Sequence, residues 1–146
     1  MPIFNICSRC GQKYEYGKEC KNGCMDKVKK ERYKQYAKDR QDKNEQKFYS
    51  SNEWITLAGY VRRKFNGMCV ICLLRDDAIS YVEAVHHIIE IKDNWELRLS
   101  EDNLICLCSS CHSKVHRIYK KSNKDKEKMQ EILYRLIEEY EKEYGL

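Results

Sequence analysis

No apolar run in these 146 residues is long enough to cross a bilayer; the longest, "NLICLC", falls far short of the ~20 residues a span needs. No charged-then-apolar segment opens the chain in the manner of a signal peptide. A soluble, cytoplasmic protein is therefore expected. An even set of cysteines is also lacking: there are nine, which argues against a closed disulfide framework. Histidine is scarce, at four residues. Acidic residues are few where basic ones are many: residues 1–50 hold 13 Lys and Arg against 7 Asp and Glu, and the rest hold 15 against 16. The net charge of +5 is thus confined to the first third, which suggests an arm that faces a polyanion. A solvated charged helix would explain the charge alone equally well.

The cysteines that are present are spaced like metal ligands. They pair as Cys7 with Cys10, Cys20 with Cys24, Cys69 with Cys72 and Cys108 with Cys111, leaving Cys106. Cys106, among Leu104, Ile105 and Leu107, reads as a small buried apolar residue. Residues 1–25 hold two pairs within 18 residues, with Gly11, Gly17 and Gly23 suited to tight turns, and read as a zinc knuckle. Residues 26–47 lack Gly and Pro and carry only the thin apolar stripe Val28, Tyr33, Tyr36 and Ala37. They read as an exposed basic helical connector, with Lys29, Lys30, Arg32, Lys34 and Lys38 available to phosphates.

From residue 48 the pattern becomes that of a packed module. Ser50 and Glu53 suggest a capping box, and Trp54, Leu57, Ala58, Val61 and Phe65 fall on one helical face that ends at Asn66-Gly67. That face is core, and Trp54 is given no other role. "ISYVEAVH", from Ile79 to His86, reads as a strand, "EIKDNWELRLSEDN" as a polar loop and "LICLC" as a second strand. Cys111 to Tyr119 reads as a helix. The final segment, 121–146, is an amphipathic helix whose stripe is Met129, Ile132, Leu133, Leu136, Ile137, Tyr140 and Tyr144, packed on the domain.

Cys69, Cys72, Cys108 and Cys111 are two CxxC pairs with 35 residues between them, enough thiolates to close a tetrahedral structural zinc site. The competing set Cys108, Cys111, His112 and His116 would strand Cys69 and Cys72. A self-sufficient cysteine site frees the histidines. His112 and His116 stand at i and i+4, able to chelate one ion, and a strand ending at His86-His87 can bring them one more imidazole. Neighbours on a strand point to opposite faces, so the other imidazole stays free, as a general base near neutral pH should. A three-histidine site with open positions suits a catalytic divalent metal.

"VHHII", then Asn103 and "CSSCHSKVH", resemble the HNH motif of the HNH endonucleases. "FYSSNEWITLAGYVRRKFNGMCVIC" and "DNWELRLSEDNLICLCSSCH" extend the likeness to small phage and prophage members over about residues 48–118. The resemblance implies an α+β fold: a small ββα-metal finger with structural zinc at 48–120, flanked by helices, beyond the knuckle-like N-terminal segment. It implies a metal-dependent DNA endonuclease, nicking or weakly specific, in some relatives supporting phage DNA packaging by the terminase in a bacterial host cell. His86, His112 and His116 match metal ligands, His87 the general base that activates water, and Asn103 the residue that braces the loop or approaches the metal. Many relatives have Asp in place of His86 and many lack His116. The implied ion is Mn, Mg, Ni, Co or Zn, an all-nitrogen site favouring transition metals over Mg. Lys92, Lys114 and Arg117 are near enough in sequence to bind flanking phosphates. Cys7, Cys10, Cys20 and Cys24 lie outside the resemblance as a second zinc set. A non-catalytic zinc-dependent nucleic-acid-binding module is the alternative reading.

Overall fold

The computed structural model describes residues 1–39 and 42–145. These fall into two compact units, Met1–Lys43 and Asn44–Leu146. The first unit has almost no apolar core. Its strands β1 (Phe4–Ile6) and β2 (Lys13–Glu15) form an antiparallel hairpin in which Asn5 faces Tyr14. The hairpin's turn is closed by Gly11, whose φ of 73° is left-handed and whose N–H donates to the Cys7 carbonyl. The buried cluster consists of Cys7, Cys20 and Cys24, with Tyr14 half-buried against them, while Ile3 and Ile6 stay exposed. So few apolar contacts cannot hold a chain of this length, and a bound metal is the physical alternative. Helix α1 (Cys24–Asp39) leaves this cluster with only Cys24 buried. Arg9 ties the hairpin to α1 through two contacts with the Glu31 carboxylate, at 2.8 and 3.2 Å. Arg40 and Gln41, within the expected connector helix, lie outside the described residues.

The second unit continues through α2 (Lys43–Tyr49), α3 (Asn52–Lys64) and α4 (Val70–Arg75) to the antiparallel strands β3 (Ala84–His87) and β4 (Leu104–Leu107). Helices α5 (Ser109–Tyr119) and α6 (Asn123–Tyr144) complete it. Trp54, Ala58 and Val61 on α3 and Phe65 at its C-cap are buried as their spacing requires, and Leu57 is half-buried. The helix cap differs from the expected one by a residue. Ser51, extended at φ −73° and ψ 150°, accepts from the Trp54 N–H, whereas the Ser50 hydroxyl donates to the Gln46 carbonyl. Asn66 and Gly67, both at positive φ, stop α3.

Strand β3 is shorter than "ISYVEAVH" suggests. Ile79 and Tyr81 are exposed, Tyr81 making only an isolated bridge to Met68. Strand propensity needs a partner to pair with, and β4 offers only four residues. The polar loop between the strands holds two short 3-10 turns, Trp95–Leu99 and Glu101–Asn103. Cys106 is fully buried. Helix α6 packs on α4 and α5, burying Leu133, Leu136, Ile137 and Tyr140; Ile132 and Tyr144, expected on the same stripe, remain exposed at its edges.

Candidate metal centre and catalytic cleft

Among the described residues, three groups of side chains bring ligand atoms within 4.8 Å of one another: Cys7, Cys10, Cys20 and Cys24; Cys69, Cys72, Cys108 and Cys111; and His86, His112 and His116. His112 and His116 group with His86, and Cys108 and Cys111 with Cys69 and Cys72.

In the second cysteine group, Cys69 precedes α4 and Cys108 precedes α5, each as the residue before the first helical turn. Cys72 Sγ lies 3.8 Å from Cys108 Sγ and 3.6 Å from Cys111 Sγ. Burial pushes the Cys72 thiol up to about 11. Burial also raises Cys108, but hydrogen bonds from the Cys111 backbone and the Ser80 side chain favour its thiolate and bring it down to about 6. Such a mixed set of thiols and thiolates is what a soft cation would convert to four thiolates.

The histidine group joins the end of β3 to α5. His112 and His116, one turn apart, bring their Nε2 atoms to 2.9 Å, and the His86 ring centre lies 5.3 and 5.1 Å from theirs. Burial, with His116 and His112 close by, pushes His86 down to about 3. Burial likewise lowers His112 and His116. All three are therefore neutral at physiological pH and present lone pairs instead of protons, the form that a divalent cation takes up. The donor set fits such an ion. The carboxylate of Glu90 stands 3.6 Å from His116 Nδ1. The Tyr119 hydroxyl, 3.4 Å from His86 Nε2, donates to the Ile88 carbonyl at 2.8 Å.

His87 lies apart from this group. Its Nε2 is 2.9 Å from the Arg98 carbonyl, which can only accept, so Nε2 carries the proton and Nδ1 keeps the lone pair. The Tyr49 hydroxyl is 3.5 Å from that Nδ1. Trp54 stacks on the imidazole with ring centres 4.8 Å apart and planes 25° apart, and Phe48 meets its edge. Trp54 lies in the core cluster, as its spacing leads one to expect, and its stacking on His87 is an added contact that periodicity does not reveal. Burial holds the His87 pKa below its ordinary 6.5, against the opposing pull of the Arg98 carbonyl. A cleft of about 520 Å³ is lined by all four histidines, with Tyr49, Trp54, Glu83 and Glu90 among its walls.

Asn103 is buried at 2% exposure and clasps the backbone just beyond the histidine pair. Its Oδ1 accepts from Ile89 N–H at 2.8 Å, its Nδ2 donates to the Ile89 carbonyl at 2.9 Å, and its own carbonyl accepts from Ile88 N–H at 2.8 Å. Lys92 sits at the cleft rim, 3.4 Å from Glu90, while Lys114 and Arg117 lie exposed on α5. Lys29, Lys30, Arg32 and Lys34 are exposed on α1 of the first unit. Sequence reasoning passed over Tyr49, Glu90, Tyr119 and the backbone of Arg98. Of these, Tyr119, three residues after His116 on one helix, carried a spacing signal; the others carried none.

The family described as HNH endonuclease matches this chain over residues 69–117. The chain is 37% identical over 78 residues to a protein of Lactococcus phage SK1 named "Probable HNH endonuclease", covering 51% of this chain and 80% of that one. It is also similar to the crystal structure of the deep-sea thermophilic bacteriophage GVE2 HNH endonuclease with manganese ion. There the identity is 33%, the TM-score 0.53, and the match covers 60% of this chain and 95% of the other.

Proposed function

This chain belongs to the HNH endonuclease family and is a metal-dependent nuclease, and on that premise we propose a division of labour among its four histidines. His86, His112 and His116 hold the catalytic cation; His87 is the general base; the substrate is DNA. The observation that supports this most is the tautomer of His87. Its Nε2–H is committed to the Arg98 carbonyl, so its basic nitrogen is Nδ1, at the cleft that the three other imidazoles line.

His87 Nδ1 takes a proton from a water molecule, and the oxygen so freed attacks the scissile phosphorus in line. The P–O3′ bond breaks, and the 3′-oxygen leaves and is protonated by solvent, giving 5′-phosphate and 3′-hydroxyl ends. As His87 becomes positive, the Arg98 carbonyl stabilises the Nε2–H and Trp54 keeps the ring in plane. A divalent cation held by His86, His112 and His116 would supply charge stabilisation to the phosphoryl group. Asn103 keeps the 88–89 backbone, and with it His87, in place. The all-imidazole set favours Mn, Ni, Co or Zn over Mg, and the two cysteine groups suit structural zinc. One such histidine set among the described residues acts on one phosphodiester at a time, which favours nicking. Both relatives are phage proteins, so DNA packaging in a bacterial cytoplasm, with the terminase as partner, is the setting we propose.

The test is conversion of supercoiled plasmid to open circle by metal-stripped protein given Mn, Mg, Ni, Co or Zn in turn. Cleavage is expected with the transition metals and none in chelator. Substituting His112 and His116 together with alanine should abolish it at every metal; undiminished cleavage would refute the ligand set.

The exposed cations of α1 supply the sequence-independent attraction. Replacing Lys29, Lys30, Arg32 and Lys34 with glutamine is expected to weaken duplex binding about tenfold at moderate salt and to flatten the slope of log K against log salt by up to about 3.6. Fluorescence anisotropy across a salt series measures both. If neither moves, α1 is only a solvated helix.

A further inference from the structure

Helix α6 begins beyond the segment that the family matches, yet it reaches back to the residues after the histidine pair. Lys126, Gln130 and Tyr134 recur at every fourth position, a polar stripe beside the buried apolar one. Tyr134 donates its hydroxyl proton to Asn103 Oδ1 at 2.9 Å. Gln130 Nε2 donates to the Ile88 carbonyl at 3.1 Å, filling the second lone pair of an oxygen already bonded to Tyr119. Lys126 bridges the carboxylates of Glu90, at 2.7 Å, and Asp93. With Asn103 holding Ile88 N–H and both polar groups of Ile89, every backbone donor and acceptor of the two residues after His87 is engaged. Strand β3 ends at His87, so no further strand pairing would hold this segment.

We propose that Tyr134, Gln130 and Lys126 are positioning residues of the nuclease: they clamp residues 88–93 and Asn103, and thereby fix the aim of His87. They act through Asn103 and the backbone, without touching substrate or cation. The inference rests on the reading of His87 as the base. It extends the catalytic apparatus from the finger to the C-terminal helix. The physical ground is that a base must lie within hydrogen-bond reach of the proton it takes, and a misplacement of about 1 Å costs up to a hundredfold in rate.

The full-length chain carrying Tyr134→Phe or Gln130→Leu tests this, each change removing a donor while keeping most of the side chain's bulk. Single-turnover plasmid cleavage with manganese is expected to slow about tenfold in each. Affinity for DNA and the melting temperature should stay near wild type. In an Asn103→Ala background, Tyr134→Phe should cost nothing more, because the hydrogen bond that links it to His87 through Asn103 is already cut. Unchanged rates in both folded variants would overturn the proposal, as would a Tyr134→Phe penalty that adds in full to that of Asn103→Ala. A rate loss that vanishes on cooling well below the melting transition would reduce the stripe to a stabilising role and overturn it too. His87→Ala is the parallel control: a wild-type rate there would refute the base itself, separately from the clamp.

Discussion

With His87 replaced by alanine, DNA cleavage is expected to fall about a thousandfold while duplex affinity and metal loading stay unchanged. Positioned general bases contribute about two to four orders of magnitude. Tyr49, 3.5 Å from His87 Nδ1, cannot substitute, since burial pushes its own pKa up to about 12. The pH dependence gives a second readout. His87 accepts a proton only when neutral, and burial sets its pKa below 6.5. Cleavage should therefore rise with pH through a midpoint under 6.5 and be level by neutral pH, and the alanine variant should lose that rise. Because the folded pKa is the lower one, the unfolded chain binds more protons below 6.5, and stability also fades as pH falls there. Rates must accordingly be read where circular dichroism reports intact fold. A pH profile of the variant that keeps the wild-type limb would assign it to another group.

The other large effect belongs to the second cysteine group. Cys108→Ser is expected to lose one zinc per chain and to lower the melting temperature by more than about 15 °C, about 3 kcal/mol or more at some 4–8 °C per kcal/mol. Cys69 and Cys72 anchor α4, whereas Cys108 and Cys111 begin α5, the helix that carries His112 and His116. A cation held by the four cysteines would join segments 36 residues apart in sequence, and the same helix must be in place for the histidine group to form. Cleavage should fail with stability. Cys20→Ser in the first unit should also lose one zinc, yet leave the melting transition of the second unit and its basal cleavage in place. Metal analysis of the purified proteins, with two thiolate-bound zincs in wild type and one in each variant, and thermal unfolding under reducing conditions measure this. A Cys108→Ser protein that keeps both its zinc count and its melting temperature would show the group to be four ordinary thiols.

Much of the fold is legible in the sequence. The burial of Trp54, Ala58, Val61 and Phe65 follows from their spacing, because one helix face meets one core. The α+β class and the likeness to HNH endonucleases came from the motif residues and agree with the relatives found. Strand length is less so. "ISYVEAVH" has strand composition throughout, but only Ala84–His87 finds a partner. Ser50 and Ser51 look equivalent in sequence, and which one caps α3 depended on where α2 released the chain.

By itself, the sequence determined what is local or periodic: the pairing of cysteines, the one-turn separation of His112 and His116, and the opposite facing of His86 and His87 on a strand. Each depends only on helix or strand geometry, which every chain shares. What lies across from a side chain was decided by tertiary structure alone. Trp54 meets His87, the Arg98 carbonyl selects that imidazole's tautomer, and Tyr134 reaches Asn103 from 31 residues away. None of these partners is marked by composition or period, because a contact between distant segments is set by how whole elements pack. A stacked tryptophan and a core tryptophan are identical until the packing is known.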